Sequence, residues 1–188
     1  MILARYLLRP VLFIGLLLAL AGMGTSPSLA QAPKGINEEF LIENSARVSK
    51  VKAYYKGNTV MSYQKPYGTQ IEYFTPGGKT FLWYPGNRDV VRGEWKVGTG
   101  KDGYPQTCFR YQANSVNPFT KVPGGKWQCA QSIYMMFTDK QRIKGDAFDL
   151  SQQMPFKLSK RKTSFKRLAK KAKIDARGLR YLPTASDK

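Results

Sequence analysis

The chain has 188 residues, and 31 lysines and arginines against 12 acidic residues give it a formal net charge of +19 at pH 7. It has no histidine and only two cysteines, which excludes a histidine-based catalytic triad and leaves too few ligands for a zinc site. A charge this positive favours anionic partners, such as a membrane surface or a nucleic acid.

The start of the chain has the pattern of a signal peptide. Arg5 and Arg9 precede an apolar run of about twelve residues, 11–22. This run is shorter than the roughly twenty residues that span a bilayer. Ser28 and Ala30 then supply the small residues of a cleavage site. We therefore expect residues 1–30 to be removed and the mature chain to begin at Gln31, in the periplasm or outside the cell. An uncleaved N-terminal anchor is the alternative.

The next element is ambiguous. Apolar residues between 38 and 56 have roughly helical spacing, and Gly57 is placed to end a helix as a left-handed cap. Val51, Ala53 and Tyr55 also recur at every second position, as in a strand. We predict a short N-terminal helix, with a strand as the alternative.

From residue 59 the pattern changes to a period of two, which predicts strands. The Pro-Gly-Gly turn at 76–78 indicates a hairpin over 70–84. Short strands at regular spacing predict a mostly β domain over 31–155, an antiparallel meander that forms an open barrel or sandwich. The expected strands are 59–64, 69–75, 79–84, 90–97, 107–112, 126–137 and 142–146.

The two cysteines fall on two successive expected strands. An exported protein in an oxidising compartment tends to pair an even number of cysteines. We therefore expect a disulfide between Cys108 and Cys129, with two buried free thiols as the alternative.

Residues 156–188 concentrate the positive charge. Between Lys157 and Arg180 there are eleven basic residues and one acidic residue. We expect a partly helical or disordered tail, separable from the domain after Pro155, that binds an anionic surface. The basic residues expected to make this contact are Lys160, Arg161, Lys162, Lys166, Arg167, Lys170, Lys171 and Lys173.

One short helix is expected within this tail. Ser164 can cap it, and its thin apolar face includes Phe165 and Leu168. On an anionic membrane, these two side chains would enter the interface while the basic residues contact the headgroups.

The middle of the chain carries a series of short motifs with a recognisable order. They are Gly57-Asn58-Thr59, Tyr73-Phe74-Thr75-Pro76-Gly77-Gly78, Phe81-Leu82-Trp83, Gly93-Glu94-Trp95 and the two cysteines. In order and spacing they resemble a bacterial exported family catalogued as domain of unknown function 995, over about residues 50–145. The resemblance implies export and a β fold, and it brings no established chemistry with it.

The acidic residues do not form an evident catalytic pattern. One alternative is that Glu72 and Glu94 lie near each other on facing strands and act as a carboxylate pair. We expect instead that each points to solvent opposite a basic residue such as Arg92 or Lys96. The sequence therefore predicts no enzymatic activity, no metal site and no cofactor.

Together these patterns favour an exported envelope protein that associates with an anionic membrane or lipopolysaccharide surface through its basic tail. Three alternatives stay open, the first of which is a solvated tail with no dedicated partner. The tail can bind nucleic acid, as in an effector delivered to a host cell, or the β domain can be a barrel that binds a small ligand. A cavity lined by convergent polar groups would favour the small-ligand alternative.

Overall fold

The segments with a period of two form one antiparallel sheet of eight strands, which confirms the mostly β fold class. The computed structural model describes residues 35–117 and 121–187, so the expected signal peptide lies outside the described residues. The strands are β1 Asn58–Gln64, β2 Gly68–Phe74, β3 Lys79–Trp83, β4 Val91–Thr99, β5 Pro105–Tyr111, β6 Gln128–Gln131, β7 Asp139–Lys144 and β8 Tyr181–Leu182. Their order across the curled half-barrel is β6-β5-β4-β3-β2-β1-β7-β8.

The helices are α1 Glu38–Ser45, α2 Val48–Tyr55, α3 Ser132–Thr138 and α4 Phe165–Ala172, with a 3-10 turn at Ala176–Gly178. The segment 38–56 is therefore helical, as two helices rather than one. The Asn37 side chain caps α1 by accepting a hydrogen bond from the Phe40 amide at 2.9 Å. None of the helices in the described part of the chain is long and apolar enough to cross a membrane.

The prediction of a strand over 126–137 is wrong for its second half, where the chain forms α3. The reason is topological: β6 is an edge strand, whereas β7 lies beside β1, so the chain must cross the sheet between them. The Ser132 hydroxyl at the start of α3 is hydrogen-bonded to the Thr107 hydroxyl of β5 at 2.8 Å. After the crossing, Asp139 begins β7, three residues before the expected strand 142–146.

The sheet has a hydrophobic core on each face. The face covered by α1, α2 and α3 is called the front face, and its core includes Val51, Tyr55, Phe74 and Trp95. The opposite, back face has a core of residues from the sheet and from the chain that follows it, including residues 156–187, which are called the C-terminal segment. Back-face residues include Ile71, Trp83, Phe148, Leu150, Phe165 and Leu168.

The C-terminal segment is part of this domain, which corrects the expected boundary after Pro155. The described residues, 35–117 and 121–187, belong to one compact unit. Ser164 caps α4 as expected, but Phe165 is fully buried and Leu168 is 5% exposed, both in the back-face core. The apolar face of α4 therefore fills the core and is not available to enter a membrane.

Hydrogen bonds also hold the C-terminal segment against the sheet. The Trp83 indole donates to the Phe156 carbonyl at 2.9 Å, and the Thr69 hydroxyl donates to the Arg161 carbonyl at 2.9 Å. Gly68 lies so close to this segment that an added Cβ would be 2.6 Å from the Lys160 Cα. Further along, β8 pairs with β7. These contacts hold in place the backbone that carries the basic side chains.

The expected disulfide is present. Cys108 of β5 and Cys129 of β6 are directly opposed in the sheet and bonded to each other. Their Cα atoms are 4.0 Å apart, and the bond fastens the edge strand to its neighbour across 21 positions of sequence.

Candidate functional site

The eight basic residues singled out in the sequence are all exposed. We call them the cationic surface: Lys160, Arg161, Lys162, Lys166, Arg167, Lys170, Lys171 and Lys173. Four of the eight lie on α4, and burial of the apolar face of this helix leaves their positions facing solvent.

The charges of α4 are not neutralised by nearby acids. Lys166, Arg167, Lys170 and Lys171 form no salt bridge with a described residue. Asp175, the one acid in this stretch, pairs with Arg177 at 3.1 Å. An open groove of about 560 Å³ runs beside three of the four cations and offers a concave contact for an anionic group.

A second candidate site lies on the front face, between α2, α3 and the sheet. It is a cavity of about 170 Å³, here called the front cavity. Its apolar wall includes Val60, Phe74, Leu82, Phe109 and Met135. Its polar wall contains Tyr55, Ser62, Gln64, Gln70, Glu72, Tyr111, Thr138 and Asp139.

Glu72 lies in the front cavity and is half-buried. Its Oε1 accepts hydrogen bonds from the Thr80 hydroxyl at 2.7 Å and the Tyr111 hydroxyl at 2.8 Å. Loss of solvent around the carboxyl raises the pKa of Glu72 to about 7, although both hydrogen bonds act in the opposite direction. The group therefore changes its charge near neutral pH.

Asp139 is the other acid of the front cavity and is 3% exposed. Its Oδ2 accepts a hydrogen bond from the Tyr55 hydroxyl at 3.2 Å. Burial raises the pKa of Asp139 to about 7, while the hydrogen bond from Tyr55 and, after it, the charge of the nearby Arg142 limit the rise. Burial, followed by the charge of Asp139, raises the pKa of Tyr55 in turn, so its hydroxyl keeps its proton and remains a donor.

The two glutamates behave differently from each other. Glu94 is held by Lys79 at 2.9 Å and by Arg110, as expected for an acid opposite basic residues. For Glu72 that expectation is wrong, because it points into the front cavity and its partners are hydroxyl groups. The carboxyl that shares its cavity is Asp139, which the sequence analysis did not single out.

A second cavity of about 260 Å³ adjoins the first and shares Gln64, Gln70, Leu82 and Tyr111 with it. Neutral polar and aromatic residues line it, including Tyr67, Tyr84, Asn87 and Gln128. The two cavities therefore form a trough with an acidic end and a neutral end.

Within residues 35–117 and 121–187, no group of three or more cysteine, aspartate and glutamate side chains is arranged to hold a metal ion. Comparisons of the chain with protein-family models, curated proteins and solved structures found no match. The resemblance to domain of unknown function 995 therefore stays a prediction.

Proposed function

We propose that the protein is exported to the periplasm or secreted, and that it associates with anionic envelope surfaces through the cationic surface. The observation that carries this proposal is the arrangement of α4, which directs Lys166, Arg167, Lys170 and Lys171 to solvent and buries its apolar residues. Lipid headgroups and the phosphates of lipopolysaccharide have the matching negative charge. The protein acts by binding rather than by catalysis.

The mode of contact differs from the sequence-based expectation. Because Phe165 and Leu168 are in the core, the surface binds by charge and not by insertion. Because the backbone of this segment is already ordered by its contacts with the sheet, binding requires little further ordering. Such binding should weaken steeply as salt is added.

The disulfide supports a periplasmic or secreted location, since disulfides persist in oxidising environments. Export is tested by N-terminal sequencing of protein recovered from the producing cell's envelope or medium. A mature chain that begins at Gln31 supports export, and a chain that begins at Met1 contradicts processing.

Nucleic acid is the competing anionic partner. The mature protein is mixed with vesicles that contain phosphatidylglycerol, with neutral phosphatidylcholine vesicles, and with the anionic vesicles plus duplex DNA at an equal concentration of phosphate groups. We expect the protein to sediment with the anionic vesicles and not with the neutral ones, and we expect the DNA to displace little of it. Complete displacement by an equal concentration of phosphate groups in DNA would favour nucleic acid as the partner.

A further inference from the structure

The trough on the front face has a chemistry opposite to that of the protein as a whole. The chain has a net charge of +19, yet no lysine or arginine is among the described residues that line either cavity. The ionisable side chains in the front cavity are two carboxyls, Glu72 and Asp139, and two tyrosines, Tyr55 and Tyr111. The trough is therefore unsuited to an anion and suited to a cation or an uncharged polar molecule.

The hydrogen bonds of Glu72 indicate whether the trough would hold a cation or an uncharged molecule. Both donors, Thr80 and Tyr111, bond to Oε1. No described donor bonds to Oε2, and Glu72 lines the cavity, so this oxygen is available to a ligand. The two hydroxyls fix the carboxyl in place, which favours a charge-assisted hydrogen bond from an ammonium group.

Aromatic rings around the same space add to the attraction for a cation. Tyr55 and Phe74 are in contact with ring centroids 4.7 Å apart, and Phe109 and Tyr111 are stacked at 5.8 Å. All four side chains line the front cavity. The faces of such rings attract organic cations, and more strongly where water is excluded.

We propose that the front cavity binds the ammonium group of a small organic amine, with Glu72 as its counter-ion, while the remainder of the ligand extends into the adjoining neutral cavity. The volume of about 170 Å³ fits an ammonium group with a short alkyl chain of roughly six heavy atoms, at the roughly 30 Å³ that a water molecule occupies. This site is independent of the cationic surface, because it lies on the other face of the sheet.

The charge state of the cavity should control the affinity. Around Glu72, the titratable groups of the lining are Tyr55 on α2, Tyr111 on β5 and Asp139 on β7, and the cations next to Asp139 are Arg142 and Lys140. The tyrosines keep their protons at neutral pH, because burial raises the pKa of each. Glu72 and Asp139 both change their charge near neutral pH, so binding of a cation should weaken progressively as the pH falls below about 7 and these carboxyls take up protons.

The test uses n-butylammonium chloride as the probe and backbone amide NMR shifts of the mature protein as the readout. Butan-1-ol is the uncharged isostere, potassium chloride controls for ionic strength, and glucose represents an uncharged polyol. We expect butylammonium at pH 8 to shift amide signals near Glu72 and Tyr111, with much weaker binding at pH 5. Equal shifts from butan-1-ol or glucose, or no shift from butylammonium at pH 8, would overturn the proposal.

A matched pair of variants locates the counter-ion. Glu72→Gln keeps an oxygen that accepts from Thr80 and Tyr111 but removes the charge, and it should weaken butylammonium binding by about tenfold or more. Glu94→Gln removes the same charge from a site occupied by Lys79 and Arg110, and it should leave the affinity within about twofold. Equal affinities of the two variants would also overturn the proposal, whether both bind like the wild type or both are weakened.

Discussion

The Tyr111 hydroxyl of β5 donates a hydrogen bond to the Glu72 carboxylate of β2 at 2.8 Å, although β3 and β4 lie between these strands. In a flat sheet the two strands would be about 14 Å apart, at about 4.8 Å for each neighbouring pair. The Tyr111 ring covers part of this distance by lying over Gly93, where an added Cβ would be 2.7 Å from the ring, and the curvature of the half-barrel reduces the rest. This curvature encloses the front cavity and brings Glu72 into surroundings that raise its pKa.

The raised pKa of Glu72 predicts an effect on stability with a definite sign. A carboxyl that binds its proton more tightly in the folded state favours folding at low pH, and this contribution is lost as the pH rises from about 4.5 to about 7. Glu72→Gln should therefore increase the free energy of unfolding at pH 8 by about 1–2 kcal/mol and have little effect at pH 4. Urea unfolding at the two pH values measures this difference.

Glu94→Gln is the control and should behave in the opposite way. The hydrogen bond from Lys79, with that from Arg110, lowers the pKa of Glu94, so its contribution is present at neutral pH and is lost as the pH falls below about 4.5. The variant should be slightly destabilised at pH 8, and this effect should diminish as the pH is lowered below about 4.5. A stabilisation of both variants at pH 8 would show that general charge, and not the cavity, is responsible.

Phe165 tests whether the C-terminal segment is part of the folded domain. The side chain is fully buried in the back-face core, so Phe165→Ala should lower the free energy of unfolding by about 3–5 kcal/mol. Lys170→Ala, on the exposed side of the same helix, should change it by less than about 0.5 kcal/mol. Chemical denaturation followed by tryptophan fluorescence measures both values.

Truncation after Pro155 extends this test. It removes Leu158, Phe165 and Leu168 from the back-face core, and β8 from the sheet. We expect a chain that is unfolded or aggregated rather than a stable domain. A truncated chain with the wild-type unfolding midpoint would restore the separable tail inferred from the sequence.

The disulfide should contribute to stability by constraining the unfolded chain. Closing a loop of about this length, 21 positions, is worth about 3 kcal/mol on the chain-entropy estimate. A variant with both Cys108→Ser and Cys129→Ser should lose this amount in urea unfolding. Added reductant should destabilise the wild type by a similar amount and leave the double variant unchanged.

Much of the sheet was predictable because its signals are local. The turn at Gly77 and Gly78, with the alternation on either side of it, is enough to indicate β2 and β3. The helix α4 was equally predictable from Ser164 and the spacing of Phe165 and Leu168.

The remaining features depend on contacts that are distant in sequence. The α3 segment is as apolar and aromatic as a strand, and its helix follows from the need to cross the sheet. The destination of Phe165 depends on the back face of strands about a hundred residues earlier. Glu72 and Asp139 meet in one cavity because β2 and β7 both neighbour β1, which residue spacing alone did not indicate.

The affinity of the protein for an anionic surface should depend on the number of positive charges on α4. Replacing Lys166, Arg167, Lys170 and Lys171 together by Gln changes only exposed positions, so the fold should be retained. On the scale of about 1 kcal/mol for each basic residue near an anionic surface, this variant should lose about 3–4 kcal/mol of binding at low salt. The matched control replaces Lys52, Lys56, Lys101 and Lys126 by Gln, which are also exposed but lie outside the cationic surface.

Co-sedimentation of the wild type and these two variants with phosphatidylglycerol-containing vesicles over a salt series decides whether the cationic surface is the site of contact. We expect the wild type and the control variant to bind at low salt and to dissociate as the salt concentration approaches the physiological range, where the screening length is about 8 Å. We expect the α4 variant to stay in the supernatant throughout. If the α4 variant and the control variant sediment alike at every salt concentration, the cationic surface is not the site of contact and the proposed function is contradicted.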